Sequence, residues 1–307
     1  MKVLVTGGAG FIGSHVVDKL LEEGHIVTVL DNFSKGSYKN PKAKVVMKDI
    51  CALDMEVAFA DHPEIVIHLA AQVSVPKSIE HPIHDAEVNI IGTLRILQAC
   101  QKYGVKKIIY ITSAADIGEP RYFPIDEEHL LVPISPYGLS KAGGEEYVKW
   151  FSQQYNLEYT ILRFSNVYGP RQNTQGEGGV VALFADSLLS GKPITVYGDG
   201  KQTRDFVYVE DAAEAVLSVL IKGNKHKFNV GSGKETSIQN LLNIMVELSG
   251  GEWSLANLSL SYLPSRAGDI KRSVFAVHKI KKEVGWVPKT TLEEGLKQTK
   301  AYYEKRS

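Results

Sequence analysis

Residues 2–31 read KVLVTGGAGFIGSHVVDKLLEEGHIVTVLD. A short β-branched run, KVLVT, breaks at a cluster of glycines. An amphipathic stretch, SHVVDKLLEEG, follows and closes at Gly24, and a second apolar run, IVTVL, ends on an acid. This is strand, turn, helix, strand, the unit from which parallel sheets covered on both faces are built. Gly7, Gly10 and Gly13 are spaced G-x-x-G-x-x-G and open the helix directly after the first strand, while Asp31 ends the second strand. Alone, a glycine triplet is often only a tight turn. In this setting the glycines let backbone and helix N-terminus approach a pyrophosphate, and the acid is placed to accept bonds from an adenosine ribose. A carboxylate there would repel a 2′-phosphate, so the pattern favours NAD over NADP.

The alternation continues through KVVMKD and EIVIHLA, the helix DAEVNIIGTLRILQACQKYG (85–104), the strand KKIIYITS (106–113) and the SPYGLSK helix into YTILRFSNVYG. The predicted fold is an α/β doubly wound parallel sheet of Rossmann type over residues 1–164, with a smaller α/β substrate-binding domain over 165–307. After Arg163 glycine, proline and charge increase, yet strands near 206–209 and 228–231 could rejoin the main sheet. The helix at 85–103 carries apolar residues around most of its circumference (Val88, Ile90, Ile91, Leu94, Ile96, Leu97). One buried stripe does not need so many. Either a loop of the same chain covers the second face, or a second copy does, which would make a homodimer.

At 307 residues the chain can bury a large core, and its 35 basic and 35 acidic residues cancel. No global field favours nucleic acid or a membrane, so an anionic ligand must be held by a few local cations. Two cysteines, Cys51 and Cys100, suggest neither a disulfide framework nor a metal site. The first apolar run is short and nothing approaches the ~18 residues needed to span a bilayer. A soluble, cytoplasmic protein is expected.

In SPYGLSKAGGE (135–145), Tyr137 and Lys141 leave one helix face four residues apart. A solvated Tyr–Lys pair would explain the spacing equally well taken alone. Upstream, however, KKIIYITS ends at Ser113, on the edge of a parallel sheet where ligands sit. Ser113, Tyr137 and Lys141 then form a triad. A phenol of pKa about 10 must fall by about 3 units to act as a base near neutrality, which takes roughly 4 kcal/mol. At an effective dielectric of 20 a positive charge ~6 Å away supplies roughly 3 kcal/mol. Lys141 therefore falls somewhat short alone and suffices together with an oxidised nicotinamide.

The glycine spacing is similar to that of the short-chain dehydrogenase/reductase proteins, and DNFSKG (31–36) to their extended branch. With HLAAQ (68–72), the Asn89 helix, SPYGLSK, RFSNVYGPRQ (163–172), VYGDGKQTRDFVYVEDAAEA (196–215), RAGDIKRS (266–273) and GWVPKTTLEEGL (285–296), nearly the whole chain resembles the UDP-glucose (UDP-galactose) 4-epimerases. That resemblance implies an NAD-dependent isomerase acting on UDP-hexoses. It implies NAD contacts from Gly7, Gly10, Phe11, Ile12 and Gly13, from Asp31, Asn32, Ser34 and Gly36, from Asp49 and Ile50, from Leu69, Ala70, Ala71 and Gln72, and from Asn89, Tyr137, Lys141 and Phe164. Substrate contacts are implied for Ser113, Asn166, Val180, Thr195, Tyr197, Arg204, Arg266, Asp269 and Ser273. Two arginines could hold a diphosphate bidentately without a basic surface. Either one could instead pair structurally with Asp205 or Asp269.

Related sugar-nucleotide dehydratases carry an Asp-Glu pair just after the serine, and decarboxylases a glutamate; here those positions are Ala114 and Ala115. Without that acid the simplest cycle is oxidation at C4, turning of the 4-keto sugar and reduction on its other face. The family's Val-Tyr-Gly segment is replaced by Asp116-Ile117-Gly118. Asp116 is read as a loop or helix-cap residue, and a register slipped by one would make it a candidate acid. The remaining alternatives are epimerisation of another UDP-sugar such as UDP-glucuronate, a 4,6-dehydratase, and a non-catalytic NAD sensor, which would be expected to lose the tyrosine or lysine that this chain keeps. Ser273, small where a tyrosine restricts related enzymes, implies room for an N-acetyl group and hence UDP-GlcNAc and UDP-GalNAc as further substrates.

Overall fold

The computed structural model describes residues 1–174, 179–249, 259–265 and 270–305. The strands are β1 (Lys2–Thr6), β2 (Ile26–Asp31), β3 (Lys44–Met47), β4 (Ile65–His68), β5 (Lys107–Ser113), β6 (Glu158–Phe164), β7 (Asn166–Tyr168), β8 (Ile194–Tyr197), β9 (Thr203–Tyr208), β10 (His226–Val230), β11 (Glu235–Ser237) and β12 (Leu260–Leu263). The helices are α1 (Phe11–Glu22), α2 (Val75–Glu80), α3 (Pro82–Ala86), α4 (Thr93–Lys102), α5 (Pro136–Tyr155), α6 (Val180–Ser190), α7 (Val209–Ser218), α8 (Ile238–Glu247), α9 (His278–Val284) and α10 (Leu292–Glu304).

Seven parallel strands form the main sheet in the order β3-β2-β1-β4-β5-β6-β10. Alternate residues of its strands feed two separate cores. Val3, Val5, Val27, Val29, Ile65 and Ile67 pack on one face, and Leu4, Leu30, Val66, Ile108 and Tyr110 on the other. This period of two, with both faces buried, is why the strands read as nearly continuous apolar runs. The order reverses between β1 and β4, which opens a crevice at their C-terminal ends.

Of the two late strands that could rejoin this sheet, β10 does, pairing with β6 from His226↔Thr160 to Val230↔Phe164. The other does not. β9 is taken by β7 on one side and β11 on the other in a three-stranded sheet, and β8 pairs with β12. A third core, with Tyr168, Phe184, Phe206, Leu241 and Leu296, lies beneath these small sheets. The first core also draws on late residues: Val216, Phe228, Ile280, Val284 and Trp286 pack with β1 and β2 residues.

The helix expected at 85–103 is α3 and α4 joined by a π-helical stretch, Glu87–Gly92, that carries Asn89. Such widened turns recur at functional sites. Most of its apolar residues are covered by this chain, Val88 and Leu94 half-buried against the second core and Ile96 and Leu97 fully buried in it; Ile91 stays exposed, as do Ile83 just before this stretch and Leu139, Tyr147 and Trp150 on α5. Both cysteines are free, Cys100 fully buried in the second core. No described helix is long and apolar enough to cross a membrane. Among the described residues no cluster of His, Cys, Asp and Glu could hold a metal ion.

Trp286 is 5 % exposed and its indole Nε1 donates to the Asp211 carbonyl at 3.0 Å, tying the segment after α9 to α7. Trp286→Ala should lower the unfolding free energy by about 3–5 kcal/mol, measured by urea denaturation. A loss under about 1 kcal/mol would mean that this segment is an appendage.

Candidate active site

The turn from β1 into α1 is shaped by close approaches. Gly7 has φ 72°, and a Cβ on it would lie 2.7 Å from the Ala70 amide nitrogen; a Cβ on Gly13 would lie 2.1 Å from the Gly7 carbonyl oxygen. Helix α1 therefore rides directly on the turn. Its N-cap, Gly10, offers no side-chain cap and its first turn holds no acid, which leaves the leading amides and the positive end of the helix dipole for an anion. Asp31, almost fully buried, accepts from the Ala9 amide at 2.9 Å and the Phe33 amide at 2.8 Å, so the acid at the end of β2 also fixes the turn.

The other residues predicted for this edge gather around it. The Leu69 amide donates to the Thr6 carbonyl at 3.1 Å and the Ala70 amide to Thr6 Oγ1 at 3.2 Å, and Ala71 follows. Asn32 Nδ2 donates to Asp49 at 2.7 Å, and the Ser34 amide to Asn32 Oδ1 at 3.0 Å. Gly36 lies against the turn itself, where a Cβ would come 2.0 Å from the Ala9 carbonyl oxygen. Phe11 and Ile12 are half-buried against the third core. The side chains of Ile50 and Phe164 are buried in the second and first cores, which leaves their backbone groups to face this edge.

The triad assembles where α5 meets the end of β5. Ser135 caps α5, accepting from the Gly138 amide at 3.1 Å, with Pro136 in the first turn. Gly138 sits so close to the turn after Ser113 that a Cβ would lie 2.2 Å from the Ala115 carbonyl oxygen. Tyr137 is thereby brought close enough to Ser113 for the serine hydroxyl to act on its phenol. Burial pushes that phenol up to about 12; Ser113 pulls it down, and Asp116 and Asp85 push it further up. The protein's own groups thus keep Tyr137 protonated, and the pull expected from Lys141 does not overcome burial. Lys141 is itself buried, which lowers its ammonium to about 8. Its Nζ lies 4.3 Å from the centre of the Tyr110 ring, a contact worth about 2 kcal/mol when desolvated.

Asn89 joins the two halves of the edge. Its Nδ2 donates to Ser140 Oγ at 3.1 Å, to the Gln72 carbonyl at 3.0 Å and to Asp85 at 3.1 Å, while its Oδ1 accepts from the Gln72 amide at 2.9 Å. Sequence reasoning missed Tyr110, Asp85 and His68. His68 is buried between Thr6 Oγ1 at 2.7 Å and Thr93 Oγ1 at 3.0 Å, and burial lowers it to about 3, so it is neutral. The one available signal was the four-residue spacing of Asp85 and Asn89.

The residues predicted for substrate lie beyond the crevice: Asn166 on β7, Val180 opening α6, Thr195 and Tyr197 on β8, Arg204 on β9, and Ser273, which is buried. Asp205 is not the partner of Arg204; its carboxylate accepts from the Ser232, Gly233 and Phe275 amides and from Ser232 Oγ. Arg266 and Asp269 lie outside the described residues.

Residues 3–231 match the family described as NAD dependent epimerase/dehydratase. The chain belongs to this family. A putative UDP-glucose 4-epimerase from Methanocaldococcus jannaschii is 45% identical over 301 residues, covering 96% of each chain. The crystal structure of a UDP-glucose 4-epimerase from Thermotoga maritima with UDP-glucose superimposes with a TM-score of 0.95 at 44% identity, covering 100% of this chain and 99% of that one. That of the Thermus thermophilus enzyme, in complex with NAD, gives 0.93 at 40% identity, covering 99% of both. The uncapped helix, the glycine cradle and the acid at β2 fit the cofactor of an NAD dependent epimerase/dehydratase.

Within this family member Asp116 is neither a loop cap nor a free acid. It is fully buried, with Oδ1 3.2 Å from Arg163 Nε and Oδ2 accepting from Thr112 Oγ1 at 3.0 Å. Arg163, also fully buried, donates from Nη1 to the Asp126 carbonyl at 3.3 Å and Asn229 Oδ1 at 3.4 Å. Burial raises the Asp116 carboxyl and Arg163 opposes it. Asp116→Asn would leave a guanidinium buried without its counter-charge, and should lower stability by about 3–5 kcal/mol in denaturant unfolding. Unchanged stability would mean that the pair is not formed.

Proposed function

We propose that this chain interconverts the C4 epimers of UDP-hexoses, UDP-glucose and UDP-galactose first among them, with residues 1–164 holding NAD and residues 165–307 the nucleotide sugar. One observation carries the choice of reaction. Ser113 at the end of β5 acts on the Tyr137 phenol at the start of α5, the two positions after Ser113 are alanines, and the next carboxylate along the chain, Asp116, is committed to Arg163. A dehydratase needs an acid there to expel the leaving group, and none is available.

NAD, when bound along the glycine edge, supplies the reversible oxidant for C4 and a positive charge that protein groups alone do not. The amides opening α1 would take its pyrophosphate and Asp31 its adenosine ribose. Tyr137 accepts the proton of the sugar's 4-hydroxyl and later returns it, so the residue ends as it began. Ser113 orients that hydroxyl toward the phenol. Lys141 contributes charge that favours the phenolate, and its burial against Tyr110 keeps the ammonium from wandering. Arg204 and, by resemblance, Arg266 would clamp the diphosphate while the sugar turns.

The apolar face of Ile83, Ile91, Leu139 and Trp150 supports a homodimer, since a second copy would remove it from water. Two free cysteines support a cytoplasmic location.

Tyr137→Phe should abolish turnover of UDP-glucose while NAD content and fold persist, and Ser113→Ala should cost about 10²–10⁴-fold in kcat. Near-normal turnover by Tyr137→Phe would remove the triad. Ser273, 3 % exposed, tests the sugar pocket. Ser273→Tyr should depress kcat/KM for UDP-GlcNAc and UDP-GalNAc relative to UDP-glucose and UDP-galactose about 10-fold or more, because a rigid ring overpacks the site by typically 1–3 kcal/mol. An unchanged ratio would place Ser273 outside the pocket.

A further inference from the structure

Arg171 has a left-handed backbone, φ 68°, a conformation in which an L side chain is strained. Strain of that kind persists only where the surroundings over-determine it. Here they do so from three directions. His15 on α1 is buried, and burial lowers its imidazole to about 4, so a neutral ring donates from Nε2 to the Pro170 carbonyl at 3.0 Å. Tyr303 on α10 donates its hydroxyl to the Gln172 carbonyl at 2.5 Å. Between them the Arg171 guanidinium lies 3.9 Å from the centre of the Tyr38 ring and places Nη1 2.7 Å from Asp18 Oδ2.

Asp18 is the hub of this arrangement. The Tyr38 hydroxyl donates to both of its oxygens, at 3.0 and 3.1 Å, and Asn40 Nδ2 to Oδ1 at 2.7 Å. Tyr38 and Asn40 belong to the loop after β2, whose Gly36 rests on the Ala9 carbonyl and whose Tyr38 amide donates to that same carbonyl at 3.4 Å. The loop therefore has one edge on the glycine turn and the other under Arg171, a residue more than 130 positions later in the chain.

We propose that Arg171, Asp18 and Tyr38 form a latch that holds loop 32–40 down on the glycine turn and slows release of the dinucleotide. The proposal rests on the reading of that turn as the NAD site. Arg171 acts as a positioning residue: it touches the loop and not the reacting atoms.

The test is the rate of NAD release from the full-length, NAD-loaded protein after rapid dilution, alongside the melting temperature of the NAD-stripped protein. Arg171→Gly is the informative variant, since glycine adopts the left-handed backbone freely and removes only the side chain. Loss of a charge-assisted, stacked contact should speed release by about tenfold, with little change in melting temperature. Tyr38→Phe, which keeps the ring under Arg171 and loses the bonds to Asp18, should give a smaller acceleration, and decides the matter alone if Arg171→Gly does not fold. Unchanged release, or faster release matched by a general loss of thermal stability, would overturn the latch. A wild-type protein that takes up no NAD would overturn the dinucleotide reading, and the latch with it.

Discussion

The candidate site depends on how closely α5 lies against β5. Two glycines set that distance: a side chain at Gly138 would strike the Ala115 carbonyl, and one at Gly144 would come 2.2 Å from the Tyr110 hydroxyl. Tyr110 in turn donates to the Lys141 carbonyl at 3.2 Å and presents its ring to the Lys141 ammonium. A methyl group at either glycine would lift the helix and part Tyr137 from Ser113. The geometry of the proposed triad is thus set by the absence of side chains as much as by their presence.

Beyond the triad the same face of α5 continues as an ionic stripe. Tyr137, Lys141, Glu145 and Lys149 follow one another every four residues, and Glu145, fully buried, pairs with Lys149 at 2.7 Å and with Lys227 on β10. Near it, Asp116 pairs with Arg163 on β6. Ion pairs taken out of water seldom add net stability over an apolar packing of the same shape, but each is costly to break singly. Their value here is directional. They give the long helix a register on the sheet that a greasy surface would leave free to slide.

The glycine turn and the parallel sheet were legible because each is encoded locally, in the spacing of Gly7, Gly10 and Gly13 and in the apolar strand runs; the four-residue step from Tyr137 to Lys141 pointed in the same local way to the proposed triad. What could not be read are pairings between distant segments. Nothing around β9 says that β7 and β11 claim it while β10 takes the free edge of β6, since both late runs are short and mix apolar with polar residues. Asp116 illustrates the same limit. Its role is set by Arg163, 47 residues away, whose burial a strand pattern does not announce. Ile50 and Phe164 were carried to the cofactor edge by resemblance alone, which says nothing of the burial of their side chains in the second and first cores.

The late arrival of β10 has a bearing on how the molecule is made. When 164 residues have left a ribosome, six of the seven strands of the main sheet exist, yet the surface that Val216, Phe228, Ile280 and Trp286 will cover is still open to water. The first 164 residues cannot close the first core from their own sequence. Its completion waits for nearly the whole chain, which couples the two halves during synthesis and leaves an apolar sheet edge to be shielded in the meantime.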